Sequence, residues 1–182
     1  RYMLAATTVG DYALFGGGYT KGSSSSVVNA YNTSLTRSTP TSLGTARYML
    51  AATTVGDYAL FGGGTIAGIS PSSVVDAYNT SLTRSTPTAL STARDDLAAT
   101  TVGDYALFGG GGGSSSASSV VDAYNTSLTR STPTALSTAR SYLGATTTAD
   151  DAVYRGGEAS MSADSVVDTN TNIRTPKTPN NK

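Results

Sequence analysis

The chain holds no cysteine, histidine or tryptophan, and Glu158 is its one glutamate. Without cysteine there is no disulfide framework, and the redox compartment stays open. Without histidine or cysteine, Ser-His-Asp and Cys-His nucleophilic sites are excluded, together with most zinc sites. Charged residues make up only 13% of the chain and the formal net charge is zero, which argues against nucleic acid as a partner. No apolar run is long enough to span a bilayer and no signal-peptide pattern is visible, so membrane insertion is not expected. What remains for catalysis is a carboxylate pair. No cofactor is expected, and the chain reads as non-enzymatic.

Small and hydroxylated residues fill the gap, and they are arranged periodically. The stretch AATTVGDYALFGGG occupies residues 5–18, 51–64 and 98–111, and a worn copy, GATTTADDAVYRGG, occupies residues 144–157. Arg1, Arg47, Arg94 and Arg140 mark a period of 46, 47 and 46 residues. Val27, Val74, Val120 and Val166 form a second ruler, and Pro40, Pro87, Pro133 and Pro179 a third. One 182-residue domain of four copies, 1–46, 47–93, 94–139 and 140–182, follows with no linker between them. A period of this length is the signature of a repeat architecture and suits a propeller blade.

Each copy predicts four short strands and no helix, because β-branched residues dominate and no 3.6-residue apolar period survives. In the first copy these are LAATT (4–8), DYALF (11–15), SVVNAY (26–31) and the Thr-rich LTRSTPTSL (35–43). Proline in the last suits an edge strand, since it cannot donate to a ladder. Gly10-Asp11 and Asn32-Thr33-Ser34 supply tight turns. An inner strand of small residues fits where blades crowd toward an axis. The fold expected is all-β, a β-propeller of four-stranded antiparallel blades; a Thr-rich β-solenoid is the alternative.

The opening arginine, the apolar strand closing in glycines (DYALFGGG) and the strand ending in tyrosine (VVDAYN) together resemble the kelch repeat family of β-propellers. The resemblance covers all four copies, with one departure. Kelch repeats usually carry tryptophan in the fourth strand, and Leu35, Leu82 and Leu128 stand there instead. The resemblance implies the propeller fold. It does not bring the activity of radical-copper oxidases that share this propeller, because their Cys and His ligands are absent.

Copies one to three are regular and copy four has drifted. Since repeat arrays end in atypical caps, further copies ahead of Arg1, or closure with another chain, are expected. The differences between copies fall in two places. One is the loop between the second and third strands, including Tyr19. The other is the pair after each arginine: Tyr2-Met3, Tyr48-Met49, Asp95-Asp96 and Ser141-Tyr142. Strand alternation puts both on one face, and variable loops on a constant scaffold suit a binding surface.

Candidate ligand contacts are therefore Arg1, Tyr2, Tyr19, Arg47, Tyr48, Arg94, Asp95, Asp96, Arg140 and Tyr142. The tyrosines offer stacking surface, and a ring of arginines suits carboxylates or sulfates. Pairing of those arginines with backbone carbonyls or a nearby Asp is the competing role. Asp11, Asp57, Asp104 and Asp150 follow turn positions and read as turn residues. Arg37, Arg84 and Arg130, on the outer strand, read as solvated. Three Asn-Thr-Ser turns match the N-glycosylation pattern, though a tight-turn Asn accounts for them equally.

The expected function is recognition of a glycan or protein ligand at an extracellular, cell or virion surface. The alternative is a structural subunit of a surface fibre, filament or shell, working through self-assembly.

Overall fold

The computed structural model describes residues 1–67, 70–113, 116–159, 162–163 and 167–170, and among these every regular element is a β-strand. Val166 and Pro179, two of the period markers, lie outside the described residues, as do residues 171–182, where a fourth strand of copy four is expected.

The first copy (unit 1) folds as β1 (Ala5–Val9), β2 (Tyr12–Gly16), β3 (Tyr19–Thr20), β4 (Ser23–Ser24), β5 (Val28–Tyr31) and β6 (Arg37–Ser38). Strands β1-β2-β5-β6 form one antiparallel sheet, and β3-β4 form a small ribbon in the variable loop. Unit 2 repeats this with β7 (Ala51–Val55), β8 (Tyr58–Gly62), β9 (Thr65–Ile66), β10 (Ser70–Pro71), β11 (Val75–Asn79) and β12 (Arg84–Ser85). Unit 3 has β13 (Ala98–Val102), β14 (Tyr105–Gly109), β15 (Val121–Asn125) and β16 (Arg130–Ser131) in one sheet. Unit 4 has β17 (Gly144–Thr147), β18 (Ala152–Arg155) and β21 (Val167–Asn170) in a three-stranded sheet, with β19 (Glu158–Ala159) and β20 (Ser162–Ala163) as its ribbon.

The first two strands pair in the register that the Gly-Asp turn dictates, Val9 opposite Tyr12 and Val55 opposite Tyr58. The fourth strand is far shorter than LTRSTPTSL suggests, two residues in each of the first three units. The leucines in the tryptophan position sit before it, in the turn, with left-handed backbones: Leu35, Leu82 and Leu128 have φ of 58°, 60° and 60°. The turn is held by its asparagine. Asn79 Oδ1 accepts from the Ser81 and Thr83 amides at 3.0 and 2.9 Å, which is an Asx cap.

The core lies between consecutive sheets. Residues of units 1 and 2, including Leu14, Val28, Ala30, Phe61 and Tyr78, form one cluster; units 2 and 3, then 3 and 4, form the next two. The first strands β1, β7, β13 and β17 lie side by side in that order. Their alanines and threonines permit this approach, and hydroxyls stitch them: Thr7–Thr54 at 2.8 Å, Thr53–Thr101 at 2.7 Å and Thr100–Thr147 at 2.6 Å. Sandwiching buries both faces of the inner second strands, so Ala59, Leu60 and Phe61 are all inaccessible where simple alternation would leave one face wet.

Glycine at the end of the second strand has a specific reason. A Cβ on Gly16 would lie 2.8 Å from Phe61 Cε1, and one on Gly62 would lie 2.8 Å from Phe108 Cε1. Each aromatic ring of one unit occupies the space a side chain would take in the unit before it. Tyr154 does the same over Gly109.

Candidate functional site

The opening arginines are interior struts. Arg47, Arg94 and Arg140 have essentially no exposed surface. Arg47 Nη1 donates to the carbonyls of Gly63 and Val74 at 2.6 and 2.7 Å, and its Nη2 to Asp76 Oδ2 at 2.5 Å. Arg94 binds Gly110, Val120 and Asp122 in the same way. Arg140 donates to the carbonyls of Thr138 and Gly156. Arg1 repeats the pattern from an exposed position, with Asn29 Oδ1 in the place of the carboxylate at 2.6 Å.

Their burial corrects a ligand role for Arg47, Arg94 and Arg140, and the guanidinium groups of Arg47 and Arg94 tie the end of the second strand to the third, away from solvent. Burial lowers the pKa of Arg47 and Arg94, and the neighbouring carboxylates oppose that. Arg84 and Arg130 also differ from expectation. Each bonds the second oxygen of the buried carboxylate, Arg84 to Asp76 at 2.7 Å and Arg130 to Asp122 at 2.9 Å. Asp76 and Asp122 are the residues that sequence reasoning missed. Their position in the alternating third strand, one turn of the pleat from the tyrosine, was the available signal.

Above the arginines the chain changes character. The residue after each arginine bridges to the residue after the glycine cluster: Tyr2 with Tyr19, Tyr48 with Thr65, Asp95 with Gly112 and Ser141 with Glu158. The two variable regions are thus hydrogen-bonded to one another, on one face. The next residue is left-handed in every unit, with φ of 56° at Met3, 56° at Met49, 48° at Asp96 and 56° at Tyr142. These four form a backbone staircase. Met49 N donates to Met3 O at 3.0 Å, Asp96 N to Met49 O at 3.1 Å and Tyr142 N to Asp96 O at 3.0 Å.

Two hollows flank the staircase. An apolar well of about 410 Å³ is lined by Met3, Met49, Leu50, Leu97, Leu143 and their neighbours. A polar cleft of about 340 Å³ lies among the loops of units 2, 3 and 4, lined by Tyr48, Thr65, Asp95, Gly112, Ser141 and others. Met49, Asp96 and Tyr142 line both. Thr65 Oγ1 fixes Asp95 Oδ2 at 2.7 Å. Tyr19 links the cleft to unit 1, its ring centroid 4.9 Å from that of Tyr48 and 5.7 Å from that of Tyr2, both edge-on.

The electrostatics of the cleft are acidic. Partial burial pushes the Asp96 carboxyl up to about 6, with Asp95 adding to this and a hydrogen bond with Tyr142 opposing it. Asp96 in turn raises the Tyr142 hydroxyl. With the arginines of these units committed beneath, the charge presented to a ligand is negative. An anion entering the cleft would meet like charge, so the arginine ring gives no reason to expect carboxylates or sulfates here. Of the candidate residues, Tyr48, Asp95, Asp96 and Tyr142 converge on the cleft; Tyr2 and Tyr19 extend it as an aromatic row. Asp11, Asp57, Asp104 and Asp150 are exposed turn residues remote from it.

No protein-family model matches the chain, and no curated protein does. Its fold does have solved relatives. The structure of YjhT superposes with a TM-score of 0.77 over 90% of this chain at 12% sequence identity. The chain spans 64% of the length of YjhT. At that identity the likeness establishes a shared fold.

Proposed function

We propose that the chain is a kelch-like β-propeller module that recognises a ligand, without catalysis, through the loop face of units 2 to 4. The stacked antiparallel sheets with their first strands side by side support the propeller arrangement. The arginine, glycine and tyrosine positions of the repeat support the kelch-like reading. The observation that carries the function is the convergence of Tyr48, Asp95, Asp96 and Tyr142 on one cleft. Carboxylates accept hydrogen bonds from sugar hydroxyls, and tyrosine rings cover the apolar C–H face of a pyranose. A neutral or amino-bearing glycan satisfies both, and a sialylated or sulfated one meets like charge. Display on an extracellular, cell or virion surface fits this reading.

Glycan-array binding by the isolated chain tests it. Tyr48→Ala and Asp95→Ala should each weaken binding at least tenfold, while Asn79→Ala, on the opposite face, leaves it unchanged. Preference for sialylated glycans, or equal loss from Asn79→Ala with the fold intact, would overturn the reading.

A further inference from the structure

The cleft and the well share a wall and differ in chemistry. The cleft carries carboxylates, hydroxyls and glycine backbone from the loops. In the well, of about 410 Å³, every lining side chain apart from Asp96 and Tyr142 is a leucine or a methionine. Leu50, Leu97 and Leu143 are its buried part, whereas Met3 stands 46% exposed. Met49, Asp96 and Tyr142 border both spaces, and there the Asp96 carboxylate is hydrogen-bonded to the Tyr142 hydroxyl. The polar groups that reach the well thus stand at its boundary with the cleft.

That placement limits what the well can hold. The amides of Met49, Asp96 and Tyr142 are spent on the carbonyls of Met3, Met49 and Asp96. The staircase therefore has few main-chain partners left for a peptide. A hydroxyl or an amide among the leucines would lose its hydrogen bonds to water and gain none. Hydrocarbon gains from the same surface, and methionine side chains adapt to its shape. A free sugar would occupy the cleft alone and leave the leucines wet.

We propose that the two hollows are one site for an amphiphile, a neutral glycoside whose sugar lies in the cleft and whose alkyl or acyl chain lies in the well. The chain leaves the sugar across the wall of Met49, Asp96 and Tyr142. This rests on the glycan reading of the cleft and specifies its ligand class.

Methyl and octyl β-glucosides, and the matching galactosides, test it when titrated into the whole chain below the micelle concentration of the octyl forms. Carbon-13 methyl-labelled methionine reports on the well, with the Met3 signal assigned by its loss in Met3→Asp. That variant places a carboxylate in the well and keeps a foldable backbone, since unit 3 carries Asp96 in the same left-handed position. A methylene fully sealed from water tightens binding about fourfold, so an octyl glycoside should bind at least tenfold tighter than its methyl counterpart and shift the Met3 signal. Met3→Asp should bring octyl affinity down to that of the methyl glycoside, and Tyr48→Ala or Asp95→Ala should weaken both. Equal methyl and octyl affinities, or a Met3 signal that no octyl glycoside moves, would overturn the proposal, while glycan-array binding sensitive to Asp95→Ala would keep the cleft reading standing. Octyl binding undiminished by Tyr48→Ala and Asp95→Ala would overturn both. Phosphatidylcholine vesicles carrying glucosylceramide separate the sources of such a ligand. Vesicle binding lost in Met3→Asp would support a membrane glycolipid whose chain enters the well; vesicle binding that Met3→Asp leaves intact would put the chain in the bilayer and overturn the proposal.

Discussion

Replacing Asp76 by alanine strands a charge. In the native unit the carboxylate takes hydrogen bonds from Arg47, from Arg84 and from the Gly44 amide at 3.0 Å, and it is wholly buried. Without it, the Gly44 amide is near solvent and can hydrate, and Arg84 is about a quarter exposed and can do the same. Arg47 cannot. Its guanidinium keeps only the two carbonyls of Gly63 and Val74 in a site with no solvent access. Breaking a buried pair in this way costs about 3–5 kcal/mol. For a chain of this size each kcal/mol shifts the midpoint by about 2–4 °C, so Asp76→Ala should lower Tm by roughly 6–20 °C.

Asp76→Asn should cost less, because an amide oxygen can still accept from Nη2, as Asn29 does for Arg1. Removing both charges with Arg47→Met and Asp76→Leu should recover most of the loss, since apolar replacements of buried pairs are often neutral. Thermal denaturation followed by far-UV circular dichroism measures all three. A Tm shift below 3 °C for Asp76→Ala, or a double variant no better than the single, would refute the strut reading.

Two more outcomes follow from the same geometry. Gly62→Ala should destabilise by about 1–3 kcal/mol in urea unfolding, because its Cβ meets the Phe108 ring, and Phe108→Leu in the same chain should relieve part of it. Asp96 is raised in the folded state to about 6 from an ordinary 3.8. Its contribution is therefore fully present below about pH 4 and lost as pH rises through 6. Asp96→Asn should match the native Tm at pH 4 and exceed it at pH 7 by an amount equivalent to roughly 1 kcal/mol, after discounting for the half-exposed carboxyl; equal Tm values at pH 7 would contradict this.

The all-β character and the two turns were readable from the chain because each rests on local chemistry. Gly10-Asp11 fixes a hairpin by itself, and Asn79 caps its own turn. The fate of the arginines was not readable in the same way. Whether Arg94 faces a ligand or a buried carboxylate depends on Asp122, 28 residues on, and on the sheet that covers both. The fourth strand was over-read for a related reason. Its threonines favour extended backbone, but Pro87, two residues beyond Ser85, has no amide to add to the ladder, and the pairing ends at Ser85. The sign of the cleft changed with the arginines, and the candidate ligand changed with it.

The left-handed staircase separates the holding of a backbone from the choice of the side chain it carries. Met3, Met49, Asp96 and Tyr142 share one backbone conformation, which their neighbours' amides and carbonyls hold in place. Their side chains are a thioether twice, a carboxylate and a phenol. The scaffold thus accepts chemically unrelated groups at one fixed set of projecting positions, with the strain of the conformation offset by main-chain bonds that no side chain supplies. Substitution there alters what is presented and leaves intact what presents it. The chemistry displayed at these few positions can thus differ from unit to unit while the glycines and the main-chain bonds underneath stay as they are.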